Sequence, residues 1–203
     1  MDASSRYPIP AGEHTVSEEI SRSRFITSLA HAATREEAEA FISLRRMEQR
    51  DATHNCWAYI AGPPGSAGHI GLSDDGEPHG TAGRPMLNVL MHSGIGEIVA
   101  VVSRYYGGTK LGTGGLSRAY SGGVKLALET LPVMERIEWQ GLGLQIAYPL
   151  LDQLRLLLPR FEAQVDFEEF TDEVRYQLRL PQEQLAAFRE AVTQLSSGRA
   201  RFS

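Results

Sequence analysis

The pattern that most restricts the fold runs through residues 142–202. Leu142, Leu144 and Ile146 alternate with other residues, the period of a strand with one buried face. Leu150, Leu151, Leu154, Leu157 and Leu158 then follow helical spacing, and Pro159 ends that run. Val165 and Phe167 alternate with Asp166 and Glu168. After a turn at Thr171–Glu173, Val174, Tyr176, Leu178 and Leu180 alternate with Arg175, Gln177 and Arg179, which predicts a hairpin. Pro181 stands where the first turn of a helix tolerates it. Leu185, Phe188, Val192 and Leu195 make one face of that helix, Gly198 stops it, and a last short strand carries Ala200 and Phe202. The order is βαββαβ, the split ferredoxin-like unit. Such a unit is widespread and does not name a function.

Upstream the chain reads as a second α+β unit. Residues 14–20 and 24–31 predict two strands. Thr34 with Glu37 makes a capping box that opens a helix to about Glu48. Residues 53–61 predict a strand and His69–Ser73 another; Arg84–His92 predicts a helix and Ile98–Ser103 a buried strand. Leu116, Tyr120, Val124, Ala127, Leu128 and Leu131 mark a further helix. Leu131–Gln140, entered through Pro132, reads as a linker, so the domains are placed at residues 1–135 and 136–203.

The 203-residue chain carries 20 basic and 25 acidic residues, a net charge of −5. Division before Ile137 gives 13 basic and 15 acidic residues on one side and 7 and 10 on the other. Bulk charge therefore does not draw either part to nucleic acid, and any anion site must be a local patch. No apolar run approaches the ~20 residues of a membrane span. Residues 1–14 lack the apolar core of a secretory signal. Cys56 is the single cysteine, so no internal disulfide forms. These features predict a cytoplasmic protein with no membrane partner. The only lysines, Lys110 and Lys125, lie in one segment.

Two segments carry the chemistry. Ser73–Pro85, SDDGEPHGTAGRP, places Asp74, Asp75 and Glu77 within four positions. They read either as an acidic turn capping the helix near Arg84, or as a shaped loop that holds Mg²⁺, positions a water or orients a neighbouring arginine. The spacing fits no EF-hand. Val101–Tyr120, VVSRYYGGTKLGTGGLSRAY, runs from a buried strand through a Gly-rich loop into a helix. Free backbone N–H groups and the helix dipole attract an anion in such a connection. Gly107, Gly108, Gly112, Gly114 and Gly115 allow close backbone approach. Arg104, Lys110 and Arg118 add charge, and Thr113 and Ser117 add hydroxyls. It is neither a Walker A loop nor a GxGxxG fingerprint. The competing reading is a tight strand–helix connection with no ligand.

Tyr105 and Tyr106 are placed to stack on bases or to pack in the core; Tyr120 falls on the apolar helix face and reads as structural. Arg118, Ser121 and Lys125 share the opposite, polar face of that helix, either a basic patch or a solvated one. His54 and Cys56 fall on one strand face with Ala58 and Ile60. They read as a packed or hydrogen-bonded histidine and an inert thiol, since zinc needs more ligands than the spacing supplies; the alternative is a Cys–His nucleophile.

SDDGEPHGTAGRPML, VVSRYYGGTKLGTGGLSRAY and the strand ATHNCWAYI together resemble the signatures of the YigZ/IMPACT family. The resemblance covers nearly the whole chain: residues from about 15 to 132 are similar to the shared domain, and those from about 138 to 203 to the small C-terminal domain of the bacterial members. It implies an N-terminal α/β sandwich like the second domain of ribosomal protein S5, as in domain IV of elongation factor G. It also implies a C-terminal domain like the ferredoxin-like end of that factor. Nucleic-acid or ribosome binding is the usual inference from those folds. Eukaryotic relatives restrain a translation-initiation stress kinase through an extra N-terminal domain that this sequence does not show, so that partner does not carry over. His79 stands where a small residue is commoner in the family, and Thr109 where an aliphatic is expected.

The resulting expectation is a non-enzymatic, translation-linked protein with RNA, the ribosome or a protein of translation as partner. Arg104, Lys110 and Arg118 would contact phosphates, joined by Arg84. Asp74, Asp75 and Glu77 would organise these cations or hold a Mg²⁺ between protein and phosphate, with no other cofactor expected. The alternative is a Mg-dependent enzyme acting on a phosphorylated small molecule or nucleotide. A third reading is a protein-interaction module whose Gly-rich loop is architectural.

Overall fold

Ile98–Tyr105 is buried along all but its last residue, and the whole first unit is arranged around it. The computed structural model describes residues 6–203. The chain divides into two compact units, one ending at Arg136 and the other beginning at Ile137. The described elements are β1 (Arg6–Pro10), β2 (His14–Ile20), β3 (Ser23–His31), α1 (Arg35–Glu48), β4 (His54–Ile60), β5 (Ile70–Ser73), α2 (Gly83–Met91), β6 (Ile98–Tyr105), α3 (Gly112–Thr130) and β7 (Val133–Ile137). The second unit adds β8 (Trp139–Ile146), α4 (Leu151–Leu157), β9 (Gln164–Phe170), β10 (Val174–Pro181), α5 (Leu185–Leu195) and β11 (Arg201–Phe202).

The main sheet of the first unit has the order β2-β3-β6-β4-β5, with each neighbouring pair antiparallel. β6 is its centre. Ile98, Ala100 and Val102 face a core shared with Phe25, Leu29, Cys56, Met86, Leu90, Tyr120 and Val124, built from α2 and α3. Val99 and Val101 face the other side, where Ala38, Phe41 and Ile42 of α1 cover them. Burial of both faces explains why this strand shows no polar alternation. The predicted cap forms with one difference: Thr34 Oγ1 accepts from Glu37 N at 3.2 Å, but the Glu37 carboxylate reaches back to Ala33 N, at 2.7 Å, one residue before the N-cap. α3 crosses the sheet at Gly123, where a Cβ would stand 2.6 Å from Thr27 Oγ1.

The segment expected as a linker is in part a strand. β7 pairs with β1 in a two-stranded sheet, and Ala11 N donates to Pro132 O at 2.9 Å. Neither strand was legible locally. Both are short, proline flanks or interrupts them, and the pairing spans most of the unit. Glu97 anchors this sheet. It accepts from Tyr7 Oη at 2.7 Å, Arg136 Nε at 2.9 Å and His31 Nε2 at 2.7 Å. Burial alone would raise the Glu97 carboxyl, but His31, Tyr7 and Arg136 outweigh it and hold it below its ordinary range.

The second unit shows the expected βαββαβ order, with strands arranged β11-β8-β10-β9 and antiparallel throughout. Leu142, Leu144, Ile146, Tyr176, Leu178 and Leu180 pack with Leu154, Phe188 and Val192. β9 differs from its expected pattern. A register shift opposite Gln177 and Leu178 pairs Val165 with buried Leu178 but Phe167 with exposed Gln177. The two residues thus serve opposite faces, and Phe167 remains 55% exposed on the sheet edge. No described helix is long and apolar enough to cross a membrane.

Candidate anion site

The acidic loop is held by its own carboxylates. Asp74 accepts from Gly80 N at 2.7 Å, Ala82 N at 3.0 Å and Gly83 N at 2.9 Å, which caps α2 from a distance. Burial would raise the Asp74 carboxyl, but these backbone donors, with His79 beside them, hold it below its usual value. Asp75, at φ +43°, accepts from Arg46 at 2.6 Å and from Asn55 N at 2.7 Å. Glu77 accepts from Arg104 Nη1 at 2.7 Å and from Tyr120 Oη at 2.8 Å.

Each carboxylate therefore answers a different set of protein donors, which favours the capping and arginine-orienting readings of the loop over the Mg²⁺ one. Among the described residues no three His, Cys, Asp or Glu side chains form a metal-holding cluster. The capping reading of the loop accounts for Asp74. The reading in which the loop orients an arginine accounts for Asp75 and Glu77.

Arg104, expected to contact phosphate, is likewise paired inside the protein. Its side chain is 6% exposed and Glu77 neutralises it, so it is an internal tie and not a free phosphate contact. Gly107 is also reassigned: a Cβ there would run into the Arg22 carbonyl, so its bareness serves the crossing over the β2–β3 turn. Gly108 and Gly112 take φ +89° and +69° with open space around them. Gly114 would meet only the Arg118 guanidinium, at 3.6 Å, and Gly115 packs on Leu111.

What the two segments share is a cavity of about 510 Å³ at the start of α3. Glu77, Arg104, Lys110, Gly112 and Thr113 line it, joined by Thr53, His54, Pro78, Tyr106, Leu111 and Leu116. α3 is 19 residues long, no side chain caps its N-terminus and its first turn carries no carboxylate. Its dipole and unsatisfied N–H groups thus face this cavity with Lys110 on the rim. Tyr106 is 46% exposed at the mouth, with Arg104 5.4 Å from its ring centre. Tyr105 instead turns to Gln49, 2.8 Å away, and stacks under Arg24.

Asp74, Asp75, Arg84, Ser117 and Arg118 do not line this cavity. Arg84 lies exposed on α2, while Ser117 and Arg118 border a separate groove between α2 and α3.

His54 is hydrogen-bonded, one of the two structural readings the sequence offered. Its Nδ1 donates to the Asp75 carbonyl at 2.8 Å, and its Nε2 lies 4.0 Å from the Glu77 carboxylate. The polar partner lies 21 residues away, so nothing near His54 in the sequence announced it. Arg22, brought beside Gly107 by the β2–β3 turn, was missed for the same reason. Cys56 is inert as expected: burial pushes its thiol up to about 12, and its Sγ donates to the Asp74 carbonyl. Tyr120 is structural, its phenol raised by burial and donating to Glu77.

Residues 21–128 match the model of the Impact N-terminal domain, and residues 144–199 match a domain of unknown function, DUF1949. IMPACT family member YigZ of Escherichia coli K12 is 45% identical over 190 residues, which is 94% of this chain and 93% of that protein. An IMPACT family member of Haemophilus influenzae is 41% identical over 95% of this chain and 94% of its own length. Bacillus subtilis YvyE, also an IMPACT family member, is 37% identical over 94% of this chain and 86% of its own. A crystal structure described as that of a hypothetical protein superposes with a TM-score of 0.68 at 44% identity, covering 97% of this chain and 96% of the other. A matched domain model over residues 21–128 and end-to-end similarity to these relatives establish that the chain belongs to the IMPACT family.

Proposed function

We propose that this protein is a non-enzymatic, translation-linked regulator in the cytoplasm that binds RNA or the ribosome through the anion site at the start of α3. Family membership supports the link to translation. The S5-like reading of the first unit and the ferredoxin-like reading of the second belong to this proposal, and the strand order β11-β8-β10-β9 supports the latter. The observation that carries the proposal is the uncapped N-terminus of α3 opening into a 510 Å³ cavity with Lys110 at its rim. There, N–H groups and the ammonium head take a phosphate oxygen, and Tyr106 offers a ring face to a base. Binding through backbone N–H groups and one ammonium reads phosphate and not base edges, so the expected sequence preference is low.

The alternative, a Mg-dependent enzyme acting on a phosphorylated small molecule or nucleotide, has less support, because Asp74, Asp75 and Glu77 are each engaged by the protein's own donors, at the α2 N-terminus, Arg46 and Arg104. The test is binding of a fluorescent single-stranded RNA by anisotropy across a salt series. Lys110→Ala is expected to weaken binding several-fold and to lower the salt slope by about 0.7, the loss of one phosphate contact on a single strand. Equal affinity and equal slope for the two proteins reject the loop as the binding site.

A further inference from the structure

Between Pro78 and Leu128 the sequence holds Arg84, Arg104, Lys110, Arg118 and Lys125 against one carboxylate, Glu97. Arg104 and Glu97 are buried, so every exposed formal charge on this stretch is positive, in a chain whose net charge is −5. Arg84, Lys110, Arg118 and Lys125 form no ion pair among the described residues, whereas Arg35, Arg45, Arg46 and Arg136 each meet a carboxylate. Arg118 and Lys125 border a groove of about 830 Å³ between α2 and α3, with Pro85, Val89 and Leu128 as its apolar floor.

We infer that this groove is a second contact surface, a track for the sugar-phosphate backbone of single-stranded RNA. The inference rests on the reading of the protein as an RNA binder but not on the loop cavity. Arg118 and Lys125 stand seven residues apart on α3, an axial rise of about 10.5 Å. That separation suits successive groups of an extended polyanion better than one compact phosphate. Ser117 and Ser121 line the groove and keep its α3 side low. Gly122 lies outside that lining but within one turn of both Arg118 and Lys125, and a Cβ there would meet nothing within 4 Å, so a side chain added at Gly122 would project beside the two cations. A strand can therefore lie close to the helix backbone, its sugars over the apolar floor and its phosphates toward Arg118 and Lys125. Glu129 stands at the Leu128 end of the groove and closes the run of positive charge there.

The experiment uses the full chain and a fluorescent 20-nucleotide oligouridylate, with Lys125→Ala, Lys125→Arg, Gly122→Glu and Lys110→Ala compared with wild type across a salt series. Circular dichroism checks that each variant is folded. Lys125→Ala is expected to weaken binding about three- to tenfold and lower the salt slope by about 0.7. Lys125→Arg is expected to restore the slope, and Gly122→Glu to weaken binding at least as much as Lys125→Ala.

If Lys110→Ala binds as wild type while Lys125→Ala and Gly122→Glu are weakened, the loop reading fails and the groove stands. If Lys125→Ala and Gly122→Glu bind as wild type, the groove proposal is overturned whatever Lys110→Ala does. Tighter binding of a poly-glutamate peptide, undisplaced by the RNA, overturns it too and assigns the groove to an acidic protein segment.

Discussion

Arg104 Nη1 donates to Glu77 Oε1 at 2.7 Å, with the two side chains 6% and 3% exposed. This one contact joins the acidic loop to the central strand. Tyr120 Oη donates to the same oxygen at 2.8 Å and adds α3 to the joint. The two segments that dominate the sequence are thus the two halves of one internal tie. Their density of charged and small residues is partly explained before any ligand is considered.

Removing one partner of such a pair leaves the other charge buried without compensation. Glu77→Ala is expected to cost about 3–5 kcal/mol, and Arg104→Ala a similar amount. The double variant should cost less than the sum of the two, because neither stranded charge remains. Urea unfolding of the four proteins measures this. A loss under about 1 kcal/mol for both single variants would show that the pair adds nothing.

The legible parts of the fold are those whose causes are local. The Thr34 and Glu37 capping box sits within four residues, and the alternation from Val174 to Leu180 repeats along one strand facing one core. β1 and β7 were illegible because their pairing partners lie far apart in sequence and neither alternates cleanly. The site divides in the same way. The Gly-rich turn into α3 and the placing of Lys110 beside it could be read directly. The neutralisation of Arg104 could not, since a sequence shows a charge without its distant partner. That His54 is packed or hydrogen-bonded could be read, but its partner, the Asp75 carbonyl 21 residues on, could not.

Gly107 and Gly114 lie in the same Gly-rich run but have opposite surroundings. A Cβ at Gly107 would overlap the Arg22 carbonyl, a backbone atom of the β2–β3 turn that cannot swing aside. At Gly114 it would meet only the far end of Arg118, inside the first turn of a helix. Gly107→Ala is expected to destabilise the first unit by more than about 2 kcal/mol. Gly114→Ala is expected to be neutral or stabilising by up to ~1 kcal/mol, since alanine favours the helix. Thermal melts of both variants check this. Unfolding by Gly114→Ala would instead support a purely architectural loop.

Asp74 predicts how the α2 cap responds to acid. Its folded-state pKa lies below the unfolded value, so its contribution is fully present above that unfolded value, about 3.9. The contribution is lost as pH falls through the lower folded value. Asp74→Asn removes the charge that answers Gly80, Ala82 and Gly83, and at pH 6 should cost about 1–2 kcal/mol, the size of a strong helix cap. The gap between wild type and variant should stay constant from pH 7 to about 5 and then narrow below about 4. Glu97 is depressed as well and titrates in both proteins, so the difference between them, and not either curve alone, isolates Asp74. Denaturant midpoints measured at each pH give that difference. A gap that widens in acid would mean that Asp74 is not held as an anion by the α2 N-terminus.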